Sequence, residues 1–381
     1  MTSGVPVEFD DEDQAFSERV ATFAQPFAAD YLEMAKSTEF PWSAGRALAA
    51  EGLLGLGTSV EYGGAGPTSY VRLGILQEQL SLQNFYLAQF AYTCNMMAPL
   101  LEHHLQSPDR ASWIRGLVRG EHVISIGVTE PDAGGDAAAL STTARRVADG
   151  WIIDGQKVSI SFAPHAVAVL VLARVDDAGI TAFLVPFDSS GVSRVTIEDS
   201  GWKPIGRSRI TLDGVKVADA MRVGPVGGSF RLVLNQIDHG RSIIGLMANG
   251  VARSALDASI VFAKSRAAFG RNIGKFQGVS FPIVEAYTQL EAARWLSYRA
   301  LSLADLGRRF SREASMSKHF AVESALEAIR VAVLTHGHQG FSEESPFQAM
   351  LRDVSGLQIG EGTPQIQKIV VARDLFGREY V

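Results

Sequence analysis

The chain has 381 residues, 46% hydrophobic and 20% charged, with a formal net charge of −6. That length exceeds what one hydrophobic core usually serves, so two or three structural regions are expected, and the mild acidity gives no broad pull toward nucleic acid or anionic membrane. A single cysteine, Cys94 in the apolar run YTCNMMAPL, excludes an intramolecular disulfide and a cysteine-rich metal site, and reads as a small core residue.

The opening MTSGVPVEFDDEDQ is acidic, with no basic segment leading into an apolar one, so no signal peptide is expected. No apolar run approaches the length of a membrane span, and a cytoplasmic protein is the expectation. The first region, 1–120, reads as helical: FSERVATFAQPFAADYLEMA and SYVRLGILQEQLSLQNFYLAQFAY carry apolar residues at three- and four-residue steps. Between them the glycines of EGLLGLGTSVEYGGAG mark a loop. The adjacent histidines of EHHL point to different faces of a helix and read as surface residues, not metal ligands.

The second region, 121–225, changes to short β-branched runs. GWIIDGQKVSIS places two apolar runs around Asp154-Gly155, a hairpin-turn pair. AVAVLVLARV and ITAFLVPFD read as compact strands, and SRITLDGVKVAD sets Ile210 and Leu212 before Asp213-Gly214, with Val215 and Val217 after it. The third region, 226–381, returns to helix, with Ala321, Ala325, Ala328 and Ala332 on one face and Ile283, Tyr287, Leu290 and Ala293 on another. Small residues on such faces suit close packing in a bundle.

The fold class expected is therefore α+β and mainly helical: an N-terminal helical domain, a middle antiparallel β-domain and a C-terminal four-helix bundle. Alternating β-α-β units and a well-placed GxGxxG are missing, which argues against a Rossmann nucleotide site. GxSxG and HExxH patterns are missing too. ISIGVTEPDAGGDAAALSTTA holds an irregular loop that can present backbone N–H groups and a hydroxyl to a ligand, or serve as a domain boundary with capping acids. LQIGEGTPQIQK sets Glu361 alone between two glycines, either as a solvated turn residue or as a working base.

VTEPDAGGD, STTARR, DGWIIDGQKVSISFAPHAVAVLVLARV, RAAFGRNIGKFQG, GHQGF and GEGTPQIQKIVVARDL together resemble the acyl-CoA dehydrogenase family of flavoproteins, as LAAEGLLGLGTSVEYGGAG resembles its N-terminal signature. The motifs fall in that family's order and cover nearly the whole chain. The resemblance implies FAD bound at a subunit interface of a homotetramer. It also implies removal of the proton beside a thioester carbonyl by Glu361, with flavin N5 as hydride acceptor. The competing base position of some relatives falls here on Gly240, within DHGR. A carboxylate doing this work needs desolvation and a raised pKa, and the enolate oxygen needs donors; Gly360 and Gly362 would let the backbone approach.

By the same resemblance Val128, Thr129, Ser159 and Ser161 lie at the flavin, and Arg266, Phe269 and Gln277 reach the FAD of a neighbouring subunit. Gly337 and His338 match a pyrophosphate approach, Thr363 and Gln365 the adenosine half, and Gly135, Asp238, Arg241 and Gly362 the substrate side. Gly135 stands where the family usually has Ser, Ser159 where an aromatic is common, and His338 where a second glycine is usual. The implied activity is oxidation of an acyl-CoA to the trans-2-enoyl thioester, with electrons passed to an external acceptor such as an electron-transfer flavoprotein. Gly135 and Ser159 motivate one rival, an acyl group held on a carrier protein, and His338 and Ser159 motivate another, a non-catalytic partner subunit. A flavin oxidase or monooxygenase on the same fold would have no need of Glu361.

Overall fold

The structure, a computed structural model, describes residues 9–380, so the acidic stretch considered for a signal sequence begins outside the described residues. Six α-helices come first: α1 (Asp11–Ala24), α2 (Tyr31–Lys36), α3 (Trp42–Ala50), α4 (Tyr70–Gln83), α5 (Phe85–His104) and α6 (Arg110–Val118). Capping sets several of their starts. Asp10 accepts from Asp13 N before α1, and Ser69 accepts from Arg72 N before α4. Helix α5 is buried almost all round, and Cys94 is fully enclosed within it.

The strands follow as β1 (Ile124–Gly127), β2 (Thr143–Val147), β3 (Gly150–Ser161), β4 (Ala168–Val175), β5 (Gly179–Pro186), β6 (Val192–Ile197), β7 (Arg207–Val217) and β8 (Arg222–Val223). They form one sheet in the order β6-β7-β3-β2-β4-β5-β8, with β1 lying parallel along β4 and the remaining ladders antiparallel apart from one β2–β4 pair. Both faces are covered, which is why β4 reads as a continuous apolar run. Leu170, Leu172 and Leu184 point into the main core, while Val169, Val171 and Val185 point into a second core with Trp151 and Phe183.

Asp154-Gly155 does not form the expected turn. It lies inside β3, opposite Asp213-Gly214 inside β7, where the register slips so that Ile153 faces Val215 and Gly155 faces Leu212. Asp154 Oδ1 accepts from Gly214 N at 2.7 Å across this bulge. The hairpin sits upstream, where Val147 pairs with Gly150. Two Asp-Gly signals compete there, and the one whose flanking runs pair with each other makes the turn.

The C-terminal part holds α7 (Ser229–Ser265), the short strands β9 (Ala267–Ala268) and β10 (Arg271–Asn272), and α8 (Gln277–Asp305), α9 (Ser311–His336), α10 (His338–Phe341), α11 (Phe347–Ile359) and α12 (Pro364–Phe376). The long helices α7, α8 and α9 pack on one another, and α11 and α12 lie against α9. Ala321, Ala325, Ala328 and Ala332 are all fully buried, as their spacing predicts. Gly74 on α4 meets Leu246 and Leu301 so closely that a Cβ would stand 2.6 Å from Leu301 Cδ1, which locks the first helices onto the bundle.

Asp353 on α11 joins all three regions. Its Oδ2 accepts from Tyr31 Oη at 2.8 Å and Tyr86 Oη at 2.7 Å, and its Oδ1 accepts from Trp202 N at 2.8 Å. Burial raises its pKa, opposed by these donors. This junction holds α11, and α11 runs directly into the strip that carries Glu361.

Candidate active site

Within the LQIGEGTPQIQK strip, Glu361 carries a strained backbone. Its φ is +54°, whereas Gly360 before it takes an ordinary extended conformation at φ −60° and Gly362 after it reaches +97°. Of the two glycines only Gly362 uses a glycine's freedom; a left-handed non-glycine stands before it, a feature that tends to persist where the surroundings over-determine it. Three groups do so. Lys318, buried on α9, donates to Gly360 O at 2.7 Å, to Gln358 O at 3.2 Å and to Gly362 O. Gln367 Nε2 donates to Glu361 O at 3.1 Å and Gly362 O at 3.0 Å.

The Glu361 carboxylate points inward, not into solvent. Tyr92 Oη on α5 donates to Oε1 at 2.5 Å, while Oε2 is enclosed and has no hydrogen-bond partner. Burial pushes the carboxyl up to about 7, against the pull of the Tyr92 bond and of the Lys318 and Arg241 charges. Lys318 is itself pushed down to about 8 by burial. The Glu361 backbone N–H makes no hydrogen bond among the described residues.

Gly240 explains how this carboxylate fits. A Cβ on Gly240 would stand 2.4 Å from Glu361 Oε2 and 2.1 Å from Tyr92 Oη. The space of a side chain at 240 is thus the space the Glu361 carboxylate fills. Beside it, Asp238 and Arg241 pair one helical turn apart; Asp238 Oδ2 also accepts from Ser311 Oγ at 2.6 Å, and Arg241 is buried. This is an interior pair, not a surface one.

The TEP loop is held against β3 by a buried ion pair. Lys157 Nζ lies 2.7 Å from Glu130 Oε1 and donates to Val128 O at 3.2 Å, and Val158 N donates to Thr129 O at 2.9 Å. Glu130 also accepts from Ser141 N and Oγ and Thr142 N; burial works to raise its pKa, but these donors outweigh it and hold it at about 2. It is a structural anchor beneath Thr129, not a capping acid at a surface. Ser159 sits at φ +61° in a second bulge of β3 and accepts from Arg207 Nη1 at 2.6 Å, with Arg207 fixed by Asp199. Gly135 brings the same loop onto α12: a Cβ there would stand 2.8 Å from Ile366 Cδ1, so this chain places an apolar contact where Ser is usual.

The remaining predicted residues lie elsewhere. Phe269 is 95% exposed at φ +50° in the β9–β10 turn, and Arg266 and Gln277 are exposed beside it. No hydrogen bond, ion pair or ring contact among the described residues joins these three to Thr129, Ser161 or Glu361. Gly337, at φ +59° and ψ −128°, and His338 are exposed, and the preceding His336 packs on Phe262, so they share the bundle end from which Arg266 projects. Thr363 is the N-cap of α12 without using its side chain, and Gln365 is exposed.

A flavin dinucleotide fits this donor set. The Thr129, Ser161 and Thr363 hydroxyls and the Arg266 guanidinium have no protein partner among the described residues, and an exposed phenylalanine on a strained turn is a surface that association would cover.

Three family models match, described as the acyl-CoA dehydrogenase N-terminal domain over residues 10–121, the middle domain over 125–215 and the C-terminal domain over 227–376. A 3-(aryl)acrylate reductase of Clostridium sporogenes is 32% identical over 94% of this chain and 98% of its own. The chain belongs to the acyl-CoA dehydrogenase family. Its members are oxidoreductases of CH–CH bonds that depend on FAD. A subunit of the caffeyl-CoA reductase–Etf complex of Acetobacterium woodii is 33% identical over 89% of this chain and 91% of its own. The butyryl-CoA dehydrogenase structure from Megasphaera elsdenii superposes with a TM-score of 0.90 at 27% identity, covering 97% of this chain and 99% of that one.

Lys318 and Tyr92, like Gln367, escaped the sequence reading. Lys318 left a signal: it falls four residues after Ala314 and three before Ala321, on the buried face of α9. Tyr92 left none, because α5 is apolar and buried nearly all round.

No helix among the described residues is long and apolar enough to cross a membrane, and no group of three or more His, Cys, Asp or Glu there is placed to hold a metal ion.

Proposed function

We propose that the protein interconverts a saturated acyl-CoA thioester and its trans-2-enoyl counterpart, with Glu361 as the base for the α-proton. The observation that carries this reading is the enclosed, half-paired Glu361 carboxylate, whose pKa is pushed to about 7. A thioester α-proton is far less acidic than an ordinary carboxyl, and a desolvated carboxylate with raised proton affinity narrows that gap. The free Glu361 N–H supports a role as donor to the developing enolate oxygen. FAD, when bound, supplies the acceptor for the β-hydrogen. Thr129 and Ser161 would hold the flavin end, Thr363 and Gln365 the adenosine half, and Arg266, Phe269 and Gln277 of a second copy would close over it. Asp238 and Arg241 keep the substrate side charged and fixed.

A base near pH 7 works in both directions, giving up its proton as readily as it takes one. The relatives named as reductases fit this, and the electron partner would set the direction; the Etf complex of one relative supports an electron-transfer flavoprotein in that role. The test is anaerobic addition of acyl-CoA esters of several lengths to the purified flavoprotein. Bleaching of the flavin band is expected. Bleaching by carrier-protein acyl groups alone would overturn the CoA reading, and a protein that cannot hold FAD would overturn the whole.

A further inference from the structure

We propose that Tyr92 is a positioning residue for the base: its phenol holds Oε1 of Glu361 in place and leaves Oε2 as the atom that takes the α-proton. This rests on the reading of Glu361 as the base. The geometry is specific. Tyr92 makes the one hydrogen bond that reaches the Glu361 carboxylate among the described residues, at 2.5 Å, whereas Lys318 bonds to backbone carbonyls. Oε2 is enclosed without a partner, a costly arrangement that is retained where a reactive atom must stay free. Tyr92 Oη and Oε2 both lie in the notch left by Gly240, where a Cβ would stand 2.1 Å and 2.4 Å from them.

The groups around the carboxylate divide the work. Tyr92 faces it from α5, Arg241 from α7 with Asp238 paired to it, and Lys318 from α9. His239, next to Gly240, is stacked between Tyr70 and Phe310. Burial, then the Glu361 charge, raises the Tyr92 phenol, so it stays protonated and keeps its proton to donate to the carboxylate. In proton abstraction the Cα–H bond breaks, an O–H bond forms at Oε2 and the electron pair is left on the thioester as the enolate; FAD, when bound, would supply the acceptor for the β-hydrogen and its pair, so that the enolate pair closes the Cα=Cβ bond. A donor at Oε1 stabilises the ionised base and fixes its orientation before that transfer.

The experiment is anaerobic stopped-flow reduction of the holoenzyme flavin by a CoA ester that bleaches the wild type, across pH, with Tyr92→Phe. Phenylalanine preserves the buried ring and removes the donor. The rate rises with pH as Glu361 ionises, and in the variant this limb is expected to move up by about one pH unit, slowing reduction about tenfold on the acid side. At alkaline pH, where both carboxylates are ionised, the pH-dependent part of the difference should vanish, and any constant remainder reports the lost orientation of the base. An unmoved limb, with rates equal or uniformly lowered at every pH, overturns the proposal. Site-specific fluorotyrosine at 92, which keeps the shape and strengthens the donor, should move the limb down, and decides the matter if Tyr92→Phe does not fold. Glu361→Gln separates the two readings. If it reduces flavin at the wild-type rate the base assignment fails, whereas an inactive Glu361→Gln with an unmoved Tyr92→Phe limb removes Tyr92 alone.

Discussion

Glu361→Gln should stop proton abstraction and make the stability of the variant, relative to wild type, rise with pH. In the unfolded chain the carboxyl titrates near its ordinary 4.5; in the folded protein burial raises it to about 7. The folded state therefore prefers the protonated acid. Below the unfolded value both states are protonated and there is no penalty. As pH rises through that window the unfolded chain ionises first, and the folded state loses stability until it too ionises. The full difference corresponds to about 3 kcal/mol, of which about 2 kcal/mol develops between about pH 5.5 and about pH 8.5.

Glutamine keeps the oxygen that accepts from Tyr92 but cannot ionise. Its amide leaves an unpaired N–H in place of Oε2, a pH-independent cost of about 1–3 kcal/mol. The readout is thus the change with pH, not the absolute shift. Paired thermal melts of the two holoproteins should show the variant gaining relative to wild type by a few degrees between about pH 5.5 and about pH 8.5. A gap between them that does not move with pH would refute the claim that Glu361 is held with a raised pKa. Flavin reduction by acyl-CoA should be lost in the variant with the flavin spectrum retained.

Gly240→Ala should drive the Glu361 carboxylate out of its notch, since the Cβ would meet Tyr92 Oη at 2.1 Å; flavin reduction should fall by about a hundredfold in stopped flow, with full activity refuting the packing argument. Lys318→Met, which keeps the stem but frees three carbonyls around Glu361, should cost about 2–4 kcal/mol in denaturant unfolding, and reduction should slow in parallel. Lys157→Met should cost about 3–5 kcal/mol by stranding the buried Glu130 charge, and the added change Glu130→Gln should recover most of it. The Glu130 pKa is depressed to about 2, so the single variant's deficit should shrink as pH falls from about 4.5 toward that value.

Periodicity made the helices legible because each buries one face: the alanines of α9 recur at three and four residues and all point inward. The strands β4 and β5 were legible as bounded β-branched runs. Turn chemistry was ambiguous where two Asp-Gly pairs competed, since a bulge and a hairpin use the same residues and only cross-strand pairing separates them. The motif strips named Glu361, Thr129 and Gly240 as positions of interest, but a carboxylate's environment is made by residues far away in the chain.

What the sequence by itself determined is the family, the order of helical and β regions and the acid to watch, because these are written in local periods and contiguous motifs. What the tertiary structure decided is the state of that acid. Tyr92, Gly240, Lys318 and Arg241 come from three separate helices. Their meeting point sets the carboxylate's burial, its one donor and its free oxygen. Desolvation and a hydrogen bond at 2.5 Å depend on distance in space, and separation along the chain carries no record of it.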